Sequence, residues 1–149
     1  MGKGDGRPLR TSLFLNSRTS GEIISEDLRS LLESLGRTRQ VDKNDFIFRE
    51  GSDAHEIYII KSGLVQVTKL TADGKELILR ICRKSDIVGE LTLFSDNPKY
   101  LLSGKALQPT DVLVIQKDIL EETLLSNQSL AFEFMRWTHN HMRKFQSKI

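Results

Sequence analysis

Residues 49–94 read REGSDAHEIYIIKSGLVQVTKLTADGKELILRICRKSDIVGELTLF, and the class of fold is decided inside them. The runs EIYIIKS, LVQVTKL and ELILRI are short, rich in β-branched and aromatic residues, and close to a period of two, as strands require. Glu50-Gly51-Ser52, Ser62-Gly63 and Ala72-Asp73-Gly74 punctuate them with turn signals. Gly51, Gly63, Gly74 and Gly89 fall at the junctions, where a left-handed backbone or a close approach is wanted. Outward from this segment, DFIFRE on one side and DVLVIQ on the other repeat the pattern, with Gln108-Pro109-Thr110 as a further turn. Residues 41–116 are therefore expected to form a compact antiparallel roll or barrel. Strands do not alternate with helices, which argues against a parallel doubly wound sheet.

Helices flank the roll. SEDLRSLLESLG places Ser25 as N-cap, Glu26 and Asp27 at the positive end of the dipole, and Leu28, Leu31, Leu32 and Leu35 on one face. A helix over 25–35 follows, with Gly36 as its stop. Residues 1–20 lack periodicity and read as a flexible lead-in, so the domain proper is 21–149. After residue 116, KDILEETLLS predicts a short helix and NQSLAFEFMRWTHNHMRKFQSKI a long one, together spanning 117–149. Along the long helix, Met135, Thr138, Met142, Phe145 and Ile149 recur at alternating steps of three and four, the spacing of a packing seam. Phe134, Trp137 and His141 widen that stripe. The roll can cover the first turns, and a second copy of the chain is the expected cover for the rest, with Met135, Thr138, His141, Met142, Phe145 and Ile149 at the interface.

Composition excludes several classes. The chain has 149 residues, 38% of them hydrophobic and 28% charged, which describes an ordinary globular domain, and its net charge of +2 is too small to argue for nucleic acid from balance alone. A single cysteine, Cys82, cannot form an internal disulfide and suits a reducing compartment. No apolar run reaches the roughly 18 residues of a membrane span, and Leu13-Phe14-Leu15 is too short for a signal core, so a cytoplasmic location without membrane contact is expected. His139 and His141, two apart on a helix, point to opposite sides, and His55 lies far off, so no metal site is expected. Cys82 has no histidine in a partner motif and reads as a small buried hydrophobe. Nucleophile elbows and Walker loops are absent from the sequence. No catalytic residues and no cofactor are expected, and a cupin-like enzyme on a similar barrel is kept only as an alternative.

Gly51, Tyr58, Gly63, Val65, Gly74-Lys75-Glu76 and Gly89-Glu90-Leu91 followed by Leu93-Phe94 form an ordered set. In that set the chain resembles, over roughly residues 22–149, the cyclic-nucleotide-binding domain of the catabolite-activator and fumarate-nitrate-regulator superfamily. The resemblance implies a mainly β fold with flanking helices: an eight-stranded jelly roll (a double-stranded β-helix) carrying a long C-terminal helix. It also implies a phosphate cassette in which a turn opens its N–H groups to the anion. A carboxylate takes the ribose, and an arginine pairs with the phosphate. Gly89 and Glu90 match the glycine and the carboxylate, while the arginine position falls on Tyr100 and the hydroxyl position on Leu101. A phosphate without its cation loses roughly 1.5–3 kcal/mol, which is an order of magnitude or more in affinity.

The cassette is therefore expected to be degenerate, with Gly89, Glu90, Leu91, Tyr100 and Leu101, and also Val67, Leu79 and Arg80, around the pocket. Tyr100 and Leu101 are expected to fill it. Arg80, Lys99 and Lys105 are read as solvated surface charges. His141, Phe145 and Gln146 fall where the family's long helix approaches the purine. The function implied is a non-enzymatic regulatory or sensor module, dimeric, with an unknown small-molecule ligand or none and a possible protein partner. The alternative is the sensor half of a longer transcription regulator. Without a helix-turn-helix head in these residues, direct DNA binding by them is not expected.

Overall fold

Ser25 starts the first helix as the sequence requires: its Oγ accepts the Leu28 N–H at 3.1 Å. The computed structural model describes residues 24–148, with side chains through residue 140. In it α1 spans Glu26–Leu35, with Leu28 and Leu32 fully buried on its inner face. Glu133 reaches back from the long helix, accepting the Ser25 N–H at 2.6 Å and the Ser25 hydroxyl at 2.7 Å. The cap thus ties the start of the domain to its end. The expected lead-in over residues 1–20 lies outside the described residues.

Eight strands follow: β1 (Gly36–Val41), β2 (Phe46–Phe48), β3 (Glu56–Ser62), β4 (Val65–Leu70), β5 (Glu76–Cys82), β6 (Ile87–Val88), β7 (Ser103–Ala106) and β8 (Thr110–Gln116). They form two four-stranded sheets, ordered β1-β8-β3-β6 and β2-β7-β4-β5, with every pairing antiparallel. This is the expected jelly roll. The short helix α2 (Lys117–Leu125) and the long helix α3 (Gln128–Lys148) complete it.

The roll begins at Gly36 and not at residue 41. GRTRQV was missed because only Val41 in it is buried, so it carries no alternating apolar signal. It is nonetheless a strand, paired residue for residue with β8 from Gly36↔Ile115 to Val41↔Thr110. Gly36 does end α1, but with an ordinary extended backbone (φ −110°) and not a left-handed one. Its glycine identity is explained by packing, since a Cβ there would stand 2.8 Å from the Leu113 side chain.

Strand β3 is buried on both faces, which decides where everything else sits. Ile57 and Ile59 join Leu28, Leu32, Ile115, Leu120, Phe134 and Trp137 in a core under the helices. Tyr58 and Ile60 face inward and join Phe48, Val65, Val67, Cys82, Tyr100, Val112 and Val114 between the sheets. The site lies in that second core.

Candidate functional site

The sequence stretch GELT makes a tight turn at the end of β6. Gly89 is left-handed (φ 79°) and leads into a single 3-10 turn over Glu90–Thr92. So the glycine and the turn of the expected cassette are present, with the turn held to three residues. Phe94, just beyond it, is also left-handed (φ 62°) and 54% exposed. Its N–H donates to Glu121 Oε2 of α2 at 2.5 Å.

The space above Gly89 is occupied by rings. A Cβ on Gly89 would lie 3.3 Å from the Tyr58 ring and 3.4 Å from the Tyr100 ring. Tyr100 is 6% exposed, its ring 4.8 Å from that of Phe48, and Phe48 stacks on Tyr58 at 5.6 Å with the planes 6° apart. The hydroxyl of Tyr100 donates to the Glu56 carbonyl at 2.7 Å, and that of Tyr58 donates to Glu56 Oε1 at 2.8 Å. Both buried hydroxyls therefore have acceptors. Burial pushes the Tyr100 hydroxyl above its usual range. Burial first, and then the neighbouring Tyr100 and Glu56, push Tyr58 far above it. Both stay neutral donors.

Phe48, Tyr58 and Tyr100 also border an open pocket of about 400 Å³ with Phe46, Arg49, His55 and Glu56. Beside the Gly89 turn lies a cavity of about 20 Å³ lined by Phe48, Val67, Ile87, Val88, Gly89, Glu90, Leu91, Thr92, Tyr100, Leu101 and Leu102. That is room for about one water, against the several hundred Å³ of an ordinary ligand pocket. Thr92 Oγ1 is buried in this wall without a hydrogen-bond partner, the kind of group such a water would satisfy. Glu90 is 7% exposed, so its carboxylate turns inward.

Of the residues expected around the pocket, Gly89, Glu90, Leu91, Tyr100, Leu101 and Val67 are brought together. Leu79 and Arg80 are not among those that line it. Leu101 does not fill the pocket as expected: it is 52% exposed and stands at the rim, while Tyr100, 6% exposed, has taken the inner place. Arg80 corrects the surface reading. Its side chain is only 7% exposed, and its Nη2 lies 3.3 Å from Asp86 Oδ1, itself 5% exposed. Asp86 Oδ2 also accepts the Arg83 N–H at 2.9 Å. The guanidinium is thus committed to the turn between β5 and β6. Lys99 pairs with Asp53 on the exposed surface, and Lys105 lies 5.7 Å from the Phe46 ring centre. Neither lines the pocket.

Sequence reasoning missed Phe48, Ile87, Val88, Thr92 and Leu102 in this wall, and missed Glu56 altogether. Arg39 Nη2 donates to both Glu56 carboxylate oxygens, at 3.1 and 3.3 Å, and Gln116 Nε2 donates to one at 3.3 Å. Burial alone would raise the Glu56 carboxyl. The hydrogen bonds from Tyr58 and Arg39 and the charges of Arg39 and Arg37 outweigh it and hold the group below the usual carboxylate range. A lone Glu at the head of a strand gives no sequence signal for such a hub.

On the long helix, Phe134 and Trp137 are buried against the chain's own roll, whereas Met135 is 57% exposed. The side chains of His141, Met142, Phe145, Gln146 and Ile149 lie outside those described. Cys82 is fully buried, as expected of a small hydrophobe. Among the described residues no three His, Cys, Asp or Glu side chains gather as a metal site, and no helix is long and apolar enough to cross a membrane.

A jelly roll whose last strands lead into a short and a long helix, with a glycine-led turn facing its interior, defines a cyclic-nucleotide-binding-type regulatory domain. The chain belongs to the family described as "Cyclic nucleotide-binding domain", whose sequence pattern matches residues 38–127. It is 55% identical over 137 residues to the "Anaerobic regulatory protein" of Bacillus subtilis, covering 91% of this chain and 58% of that one. It is 30% identical over 124 residues to "Transcriptional activator protein Anr" of Pseudomonas protegens, covering 83% of this chain and 50% of that one. Among solved structures, the sensor domain of the transcriptional regulator DNR from Pseudomonas aeruginosa superposes with a TM-score of 0.66 at 25% identity, over 84% of this chain and 83% of that one. The Thermus thermophilus catabolite activator protein shares the fold with a TM-score of 0.71 at 18% identity, over 83% of this chain and 58% of that one. The chain spans about half the length of the curated relatives it matches.

Proposed function

We propose that this chain is a non-enzymatic sensor module whose nucleotide pocket is held shut by its own Tyr100, so that it does not take cyclic AMP or cyclic GMP in the family's usual way. One observation carries the reading: Tyr58 and Tyr100 sit over Gly89, and about 20 Å³ is left between them and the cassette. A nucleotide would have to expel a ring bonded to Glu56, and it would meet no guanidinium where the family places one. The loss of that charge-assisted bond alone is worth roughly 1.5–3 kcal/mol.

Calorimetry tests this directly. The chain is expected to give no binding heat with cyclic AMP or cyclic GMP at micromolar concentrations. The paired change Tyr100→Arg with Leu101→Ser, which removes the ring and supplies the cation and hydroxyl, is expected to gain binding. Micromolar affinity in the unaltered chain overturns the reading.

The module acts as a homodimer through α3. Support comes from the helix itself: Phe134 and Trp137 are spent on the roll, and Met135 is left open on the seam that continues through Thr138, Met142 and Phe145. Light scattering on Met142→Glu and Phe145→Glu should report monomers, and an unchanged mass counts against the seam. The matched regulators run well past the shared span, which favours a role as the sensor part of a longer transcription regulator. A reading frame closing directly after Ile149 would sink that second reading.

A further inference from the structure

Strand β2 has only three residues and is bulged: its register against β7 slips between Phe46, opposite Lys105, and Phe48, opposite Gly104. A bulge re-aims the side chains beside it. Phe46 is left half-buried, while Phe48 goes into the roll. The loop that follows is tied down by main-chain bonds. The Gly51 N–H donates to the Tyr100 carbonyl at 2.8 Å, the Tyr100 N–H to the Ser52 carbonyl at 2.9 Å and the Ala54 N–H to the Pro98 carbonyl at 2.7 Å. This loop and the head of β3 border the open pocket of about 400 Å³, which is within the ordinary range for a small ligand. Phe48 and Tyr100 are walls of both this pocket and the small cavity, but Gly89, Glu90 and Leu91 line the small cavity alone.

The charges around the open pocket are unequally committed. Its two carboxylates already have cations: Asp53 pairs with Lys99, and Glu56 accepts two bonds from Arg39, at 3.1 and 3.3 Å. Glu56 also accepts from Tyr58 at 2.8 Å and from Gln116 at 3.3 Å. Its arginine is not committed in this way. The Arg49 guanidinium carbon lies 3.9 Å from the centre of the Phe46 ring, and the group pairs with no carboxylate among the described residues. Lys105, 5.7 Å from the same ring centre, likewise pairs with none of them. Stacking uses the flat face of a guanidinium and leaves the N–H groups at its edge free for a bidentate bond to a carboxylate. Phe46 therefore presents Arg49 as an oriented cation beside a pocket with an aromatic floor.

We propose that this pocket is a second small-molecule site, separate from the cassette at Gly89, and that it takes a small aromatic carboxylate. The ring of such a ligand lies against the edges of Phe48, Tyr58 and Tyr100, and its carboxylate pairs with Arg49. An amine is disfavoured, since Arg49 and Lys105 repel it and the carboxylates that would receive it are already bonded. A metal ion is no better served, because among the described residues no three His, Cys, Asp or Glu side chains gather. A neutral ring makes no use of Arg49.

Amide chemical shifts of the full chain, titrated with sodium benzoate, test the site. The largest shifts are expected at Arg49, Ser52 and His55, with Glu90 and Leu91 of the small cavity unmoved. Saturation is expected at a sub-millimolar Kd, the scale for a ligand of about nine heavy atoms. Acetate, which lacks the ring, and benzyl alcohol, which lacks the charge, should each bind about tenfold more weakly or worse, and benzylamine not at all. Arg49→Gln should weaken benzoate at least about tenfold, the scale of a charge-assisted hydrogen bond. Arg49→Lys keeps the charge and loses the fork, so its loss should be intermediate. Arg49 is exposed, so neither change disturbs the core, and the comparison of ligands on the unaltered chain needs no variant. Benzoate affinity unchanged in Arg49→Gln would overturn the proposal, as would benzylamine, acetate or benzyl alcohol binding as tightly as benzoate. Shifts centred on Glu90 and Leu91, or no saturation by about 10 mM benzoate, would overturn it equally.

Discussion

Strand β3 sends Ile57 and Ile59 toward the helices and Tyr58 and Ile60 into the roll, and the two cores it serves are built differently. The helix-side core is apolar throughout, with leucine, isoleucine, phenylalanine and tryptophan filling every place. The core inside the roll contains two phenol hydroxyls and faces a buried Glu90 and Thr92. The first has only packing to satisfy. In the second both phenol hydroxyls have internal acceptors, while Thr92 Oγ1 is buried without a hydrogen-bond partner. The contrast teaches that one strand can serve a purely apolar core and a mixed one: on the inner side Gly89 and its turn face aromatic rings whose hydroxyls need acceptors.

The largest expected effects probe the scaffold on each side of β3. Trp137→Ala should cost about 3–5 kcal/mol in urea unfolding, as a large cavity left in a close-packed core does. A loss under ~1 kcal/mol would mean that the long helix contributes little to the helix-side core. Arg80→Met leaves Asp86 buried without its cation and should cost a comparable ~3–5 kcal/mol. Restoring stability by adding Asp86→Leu would confirm that the buried charge and not the lost side chain carries the penalty. Both effects should exceed anything seen at the rim of the pocket.

A middle-sized effect concerns pH. Glu56 titrates below its ordinary value of 4.5 when folded. A depressed carboxyl adds stability above its unfolded value, and that part is lost as pH falls through the folded one. The stability advantage of the unaltered chain over Glu56→Gln should therefore be constant above about pH 5.5 and shrink as pH falls below 4.5. Unfolding curves at matched pH values check this, and an advantage that grows on acidification would contradict the assigned hydrogen bonds. The smallest effect is Leu101→Ser, which should cost about 1 kcal/mol or less because the residue is already 52% exposed. A loss near 2 kcal/mol would restore Leu101 as a filler of the pocket.

Much of the fold was legible because it is written in local chemistry. EIYIIKS became β3, and the N-cap at Ser25 and the left-handed backbone at all four junction glycines followed from the residues themselves. The strands that escaped share a cause. β6 has only two residues, β1 is polar along its exposed edge, and β7 reads SGKA, with no apolar alternation. In β7, Gly104 is there because the Phe48 ring lies on it, 2.5 Å from where a Cβ would be. A partner 56 positions away in the chain leaves no mark in the local pattern. Arg80 shows the same limit for charge, since burial beside Asp86 depends on how β5 turns into β6 and not on which residues surround the arginine in sequence.

The sequence by itself determined a compact antiparallel roll, its flanking helices, the Gly89 turn and the absence of an arginine at position 100, while the jelly-roll topology was implied only by the family resemblance. Those depend on periodicity, turn chemistry and residue identity, which act over a few positions. The tertiary structure alone decided that Tyr100 points inward and Leu101 outward, that Arg80 is spent on Asp86, and that Glu56 gathers Arg39, Tyr58, Tyr100 and Gln116 around one side chain. Closing two sheets face to face brings residues far apart in the chain within 3 Å, and which of two neighbours then enters the core is set by the volume left between the sheets.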